Sequence, residues 1–216
     1  MNPTPLVMCL TNAVAANFTA NCLLAVGAKP AMVEDAEEAA ALVARADALL
    51  VNVGTLHSRQ REVMRRAVKA AVERRLPWVL DPVAVQYLPA RLEFVRELLA
   101  FSPAVIRGNR AETACLGQAR AVMLATGEVD RLYSAEGELV EEIAGGTPLL
   151  EAVTATGCAQ GALVAAALAR ALPPLRAAQW AARLMKRAGE GASARTAAPG
   201  SFQVALLDEL WRLSHA

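Results

Sequence analysis

Five polar residues and a cysteine stand at the ends of short apolar runs. Asp81 closes "LPWVLDPVAV", Arg107 and Asn109 fall in "PAVIRGNRAE" with Glu112 just beyond, Thr126 ends "AVMLAT", and Cys158 follows the small-residue turn "AVTATGC". These types suit the handling of phosphate. A carboxylate can share Mg²⁺ with phosphate oxygens, and arginine presents a planar fork to an anion. At Thr154–Cys158 almost bulk-free residues open a helix, whose free N–H groups and dipole favour an anion. Gly157 allows unusual dihedrals there, and a thiol at such a helix end is expected to have its pKa lowered. Each residue also has a plainer reading. Asp81 before Pro82 can merely start a turn, Glu112 can merely complement a helix dipole, and Thr156 can merely cap an ordinary helix with Cys158 as a small buried filler. Thr126-Gly127 can be a turn without a ligand, Arg107 a surface arginine, and Met32 in "KPAMVED" a core residue. Their shared position is the functional signal.

That position follows from the elements. "DALLVNVGTL" reads as a strand running into Gly54, then a helix over about 58–75 with Val63, Met64, Ala67, Ala70 and Ala71 on one side. Pro82 ends the next strand. "DRLYSAEGELVEEI" alternates about Glu136-Gly137 as a hairpin, and the chain closes with an amphipathic helix from about residue 202. Strands alternating with helices predict a mainly parallel sheet covered on both faces, a three-layer αβα arrangement. Ligands of such sheets bind beyond the carboxyl ends of the strands, where these residues lie. With no internal repeat or linker, residues 1–216 read as one domain.

Composition narrows the classes further. Hydrophobic residues make up 55% of the 216 positions and aromatics 4%, so Ala, Leu and Val must build the core. A net charge of +1 and the lack of a basic stripe argue against nucleic acid. The longest apolar run, Gly161 to Ala169, is too short to span a membrane, and the amino-terminal segment has no signal-peptide character. Cys9, Cys22, Cys115 and Cys158 are scattered, which disfavours a zinc site or disulfide scaffold and suits a reducing cytoplasm. No P-loop or dinucleotide-binding glycine fingerprint is present.

Taken in order, "PLVMCLTNAVAANFTANCLLAVGAKPAMVEDAEE", "LLVNVGTL", "WVLDPVAV", "AVIRGNRAE", "ATGEVD", "VTATGC" and the late "PGSF" resemble the hydroxyethylthiazole kinases across most of the chain. The resemblance implies a ribokinase-like αβα fold, a homotrimer with thiazole sites between subunits, and ATP- and Mg²⁺-dependent phosphorylation of 4-methyl-5-(2-hydroxyethyl)thiazole in thiamine salvage. It also implies roles. Met32 matches a thiazole-contacting position, with Asn12, Gly54, Thr55 and Ala155 as neighbours. Arg107 and Thr126 match ATP-contacting positions, with Gly157 in the phosphate-cradling turn. Asp81 and Glu112 match acidic positions near the metal, and Cys158 stands where related enzymes carry a base.

Four features depart from the family pattern. The chain begins close to the first strand, Met8 replaces a histidine, and Ala155 replaces the first glycine of Gly-Thr-Gly-Cys. From Asn109 to Arg120 the connection is barely long enough for a parallel crossover and lacks the family's long helix, which predicts a locally thinner face near the nucleotide. A kinase accounts for the retained Arg107, Thr126, Asp81 and Glu112. The alternative is a non-catalytic relative that binds a thiazole alcohol or nucleotide, consistent with Ala155 and the shortened crossover.

Overall fold

The structure is a computed structural model that describes residues 4–117 and 119–215. In chain order the elements are β1 (Leu6–Leu10), α1 (Ala13–Ala25), β2 (Lys29–Met32), α2 (Ala36–Val43), β3 (Ala48–Asn52), α3 (Ser58–Glu73), β4 (Trp78–Asp81), α4 (Pro89–Leu99), β5 (Val105–Asn109), α5 (Arg110–Ala114), β6 (Val122–Thr126), β7 (Asp130–Tyr133), β8 (Leu139–Ile143), α6 (Leu149–Ala152), α7 (Thr156–Ala169), α8 (Pro174–Ser193) and α9 (Pro199–Ser214). The strands form one eight-stranded sheet in the order β2-β1-β3-β4-β5-β6-β7-β8. It is parallel from β2 to β6, and the β7–β8 hairpin extends it antiparallel.

The central strands are continuous apolar runs because both faces are covered. Side chains alternate across the sheet. Val7, Cys9, Ala48, Leu50, Val79 and Val105 join one hydrophobic cluster with α1, α7, α8 and α9. Met8, Leu10, Leu49, Val51, Leu80 and Ile106 join a second cluster with α2, α3 and α4. The result is the expected αβα sandwich. Among the described residues no helix is long and apolar enough to cross a membrane.

Helix α7 has no polar stripe, because it packs on β1, β3 and β4 on one side and on α1 and α8 on the other. Its run of buried Ala and Gly lets these backbones approach closely. Leu163 and Val164 fill the remaining space at about 1.5–3 kcal/mol each. The terminal helix starts at Pro199, a few residues before the sequence suggested, since proline is tolerated in a first helical turn.

The crossover between β5 and β6 is short, as expected. Five-residue α5 stands where α3, with 16 residues, and α4, with 11, cover the neighbouring connections. Leu116 and Ala121 in the flanking loop remain buried in the second cluster, so the local layer is thin but closed.

Candidate functional site at the carboxyl ends of the strands

After β1 the chain turns to β2 on one side and to β3 on the other, so the order of strands reverses between β1 and β3. Ligand clefts of parallel sheets open beyond the strand ends at such a point. Here a chain of amides begins. Asn12 caps α1 by accepting from Ala15 N at 3.0 Å. Its Nδ2 donates to Asn52 Oδ1 at 3.0 Å and lies 3.7 Å from Cys158 Sγ. Asn52 Oδ1 also accepts from Gly54 N at 3.0 Å, while Asn52 Nδ2 donates to Asp81 Oδ2 at 2.7 Å. Gly54 is required by proximity, because a Cβ there would sit 2.7 Å from Asn12 Nδ2.

Asp81 ends β4, stopped by Pro82, and is fully buried. Its Oδ1 has no hydrogen-bond partner; Arg107 Nη1 lies 3.9 Å away. Burial pushes the carboxyl up to about 6, with Arg107 opposing the rise and Glu112 adding to it. That bare oxygen fits a cation. Among the described residues no group of three His, Cys, Asp or Glu is gathered to hold a metal. A cation here would therefore draw most of its ligands from water and phosphate, the habit of Mg²⁺.

Glu112 has a more structural setting. It forms a capping box with Asn109: Asn109 N donates to Glu112 Oε2 at 2.7 Å and Glu112 N to Asn109 Oδ1 at 2.8 Å. Its Oε1 accepts from Ala84 N at 2.8 Å, tying the loop after β4 to α5. Each carboxylate oxygen keeps a second lone pair for a cation or water.

Arg107 is held in a fixed pose on β5. Its Nη2 donates to Thr126 Oγ1 at 2.9 Å and its Nε to Gln160 Oε1 at 3.2 Å. The guanidinium lies against the first turn of α7, so close that a Cβ on Gly157 would be 2.7 Å from both Nη1 and Nη2. Beyond it lies an open cleft of about 940 Å³ walled by the β6–β7 turn, the segment after β8 and the turn before α7. Arg107, Asn109, Glu112, Thr126, Ala155, Gly157 and Cys158 all line it. Asn12 reaches it through Cys158. Met32, Gly54, Thr55 and the fully buried Asp81 do not line it. Met32 is half-buried at the end of edge strand β2, packed against the first cluster.

Two local expectations are corrected. The Cys158 thiol is pushed up to about 11 rather than down, because burial and the neighbouring Asp81 charge outweigh the Asn52 and Asn12 amides and the Arg107 charge. Thr156 does not cap α7: its hydroxyl donates to Leu150 O at 2.6 Å and Val153 O at 3.2 Å. The N-cap is Ala155, in the left-handed region at φ 70°. An L-residue there costs about 1–2 kcal/mol. Ala155→Gly is therefore expected to raise stability by about 1 kcal/mol, read as a rise in the urea midpoint at unchanged slope. A lower midpoint would show that the methyl's contacts outweigh the strain.

Gln160, Asp130 and Lys186 also line the cleft, Asn52 links Asn12 to Asp81, and none of the four is evident from sequence as a site residue. Asn52 carries one signal, an amide ending the wholly apolar strand "ALLVN". Gln160 carries another, an amide inside an otherwise apolar helix.

A profile of the hydroxyethylthiazole kinase family matches residues 1–119 and 113–216, two stretches that meet at the short crossover. The hydroxyethylthiazole kinase of Cronobacter sakazakii is 46% identical over 233 residues, covering 95% of this chain and 87% of its own. That of Escherichia coli K12 is 43% identical over 238 residues, covering 98% and 90%. Both alignments are longer than this 216-residue chain, so the relatives carry residues it lacks. The structure of the Pyrococcus horikoshii hydroxyethylthiazole kinase superposes with a TM-score of 0.92 at 35% identity, covering 96% of this chain and 88% of that one. A Bacillus subtilis pyridoxal kinase shares the fold, with a TM-score of 0.62 at 19% identity over 86% of this chain and 91% of that one. With the family matched along essentially its whole length and its fold reproduced, the chain belongs to the hydroxyethylthiazole kinase family.

Proposed function

We infer that this chain is an ATP-dependent kinase that phosphorylates the hydroxyl of 4-methyl-5-(2-hydroxyethyl)thiazole. The observation that carries this reading is the convergence, at one cleft, of the pinned Arg107 guanidinium, Thr126 and the start of α7, with the bare oxygen of buried Asp81 3.9 Å from Arg107 Nη1. Phosphoryl transfer needs positioning and charge stabilisation more than covalent chemistry. Arg107 and the first N–H groups of α7 meet negative charge on the transferring group, and Thr126 keeps the guanidinium aimed. Asp81 and Glu112 are the residues that would hold Mg²⁺, which offsets phosphate charge when bound.

Cys158 stands beside the substrate hydroxyl, fixed by Asn12, and Ala155 lies along the same wall. A thiol titrating near 11 stays neutral at pH 7.5, so its role is contact and not proton abstraction. Cys158→Ser is therefore expected to keep kcat within about tenfold, with no thiol-dependent limb in the pH profile. A thousandfold loss in a folded, ligand-binding variant would overturn that role. Met32, Gly54 and Thr55 lie outside the cleft of one chain; the homotrimer with thiazole sites between subunits that the family resemblance implies would complete the thiazole half with neighbouring copies. The cytoplasm is the compartment that four unpaired cysteines suit.

The deciding experiment incubates purified protein with the thiazole alcohol, ATP and Mg²⁺ and follows thiazole phosphate directly, with Arg107→Met as control for contaminating kinase. Product from the parent alone supports the reading. A folded parent that binds the thiazole and makes no product overturns it in favour of a non-catalytic binder.

A further inference from the structure

The ammonium of Lys186 on α8 is buried and surrounded by oxygen. It donates to Glu128 O at 2.9 Å, Gly145 O at 3.1 Å and Gly127 O at 3.3 Å, and lies 3.4 Å from Asp130 Oδ1. Lys186 and Asp130 are each more than nine-tenths buried. The cage joins two walls of the cleft that are otherwise separate loops, the β6–β7 turn and the segment after β8. One helical turn further along α8, Glu190 Oε1 accepts from Gly146 N at 2.8 Å. So α8 grips the second loop by both a carbonyl and an adjacent N–H. Gly145, at φ 101°, must be glycine for this grip, since a Cβ would fall 2.5 Å from Glu190 Oε1.

Asp130 extends the cage inward. Its Oδ1 accepts from Gly127 N at 3.0 Å and its Oδ2 from Gln160 Nε2 at 3.5 Å. Gln160 turns its other end, Oε1, to Arg107 Nε. An amide has one donor end and one acceptor end, so Asp130 fixes which way Gln160 faces, and Gln160 joins Thr126 in setting where the Arg107 fork points.

We propose that Lys186 is a positioning residue for the nucleotide: a built-in cation that fastens the outer wall of the cleft and, through Asp130 and Gln160, sets the orientation of Arg107. The proposal rests on the reading of this cleft as the ATP site. Lys186 is part of the cleft wall, its ammonium is spent on the loop carbonyls and Asp130, and its effect falls on the nucleotide half.

The test separates positioning from stability. Lys186→Met keeps the stem but leaves the Asp130 carboxylate buried without its cation, which destabilises the fold. Lys186→Met/Asp130→Asn removes both charges, so its melting temperature returns toward that of the parent. Affinity for a fluorescent ADP analogue and KM for ATP and for the thiazole alcohol are measured on all three proteins. The expected result is a roughly tenfold loss of nucleotide affinity and a matching rise in KM for ATP in both variants, with KM for the thiazole within about twofold. The loss persists in the double variant although its stability recovers. Nucleotide affinity that is unchanged, or that recovers together with stability, overturns the proposal and leaves Lys186 as a fold residue. A folded parent that does not bind the ADP analogue instead removes the ATP-site reading, and this proposal falls with it.

Discussion

An Asp81→Asn variant is expected to lose about a thousandfold in kcat and to melt several degrees higher than the parent at pH 7.5. Asp81 is wholly buried, and its carboxyl titrates near 6 instead of the ordinary 3.8, chiefly through desolvation. Between those two values the folded chain binds more protons than the unfolded chain at this site. Stability from this group is therefore full below about pH 4, falls as pH rises through about 6, and stands at its lowest above that. Two pKa units correspond to about 3 kcal/mol. Asparagine keeps an acceptor for Asn52 and escapes most of this penalty, so a gain of about 1–3 kcal/mol is expected at pH 7.5, shrinking toward pH 4. Catalysis moves the other way, because the bare Oδ1 and its charge are lost where phosphate charge must be managed. Parallel thermal melts at pH 5 and pH 8, with product assays, check both halves. A variant less stable than the parent at pH 8 would contradict the account. In the parent, kcat/KM should rise with pH through about 6 if ionised Asp81 is the active form.

Gly157→Ala should damage nucleotide handling with little effect on stability. In a helix the exchange ordinarily helps, since alanine is the better former by up to about 1 kcal/mol. Here the new methyl would lie 2.7 Å from both terminal nitrogens of Arg107. The far end of an arginine can normally swing aside. This one is fastened by Thr126, Gln160 and the Asp81 charge, so moving it breaks the bonds that aim it. The expected outcome is a roughly hundredfold fall in kcat/KM for ATP with the melting temperature within a few degrees of the parent. A large fall in melting temperature with ordinary ATP kinetics would mean that Arg107 tolerates the shift and the helix does not.

The fold and the inner ring of the site were readable in advance for a local reason. Asp81, Arg107, Thr126 and Cys158 sit beside Pro or Gly breaks, where apolar runs end and the backbone turns, and Glu112 follows in the short helix after β5. Strand ends in a parallel sheet share one edge, so separate local signals bring Asp81, Arg107 and Thr126 to that edge, and the helices that follow begin there with Glu112 and Cys158. Lys186 was opaque because it follows Met185 and precedes Arg187 in an amphipathic helix, where a lysine reads as solvated. Asp130 looked like a hairpin residue. Their partners are backbone carbonyls from distant loops, which leave no mark on neighbouring residues. The direction of the Cys158 shift failed differently. A helix end acts locally and is visible in sequence, whereas burial and the Asp81 charge come from packing that only the folded chain displays.

The short crossover also bears on the order in which the molecule assembles. Asn109 and Thr126 are register partners across β5 and β6, and only α5 and a small loop separate those strands. Parallel pairs elsewhere in the sheet must first close loops around longer helices, at an entropic cost that slows them. The β5–α5–β6 unit therefore has the sequence separation of a long hairpin and is suited to nucleate the sheet. In refolding kinetics, Ile106→Val should mainly slow folding, whereas Leu50→Ala in β3 should mainly hasten unfolding. The reverse pattern would place the nucleus at the β1–β3 reversal instead. On this view, the short crossover brings Arg107 and Thr126 together early in folding.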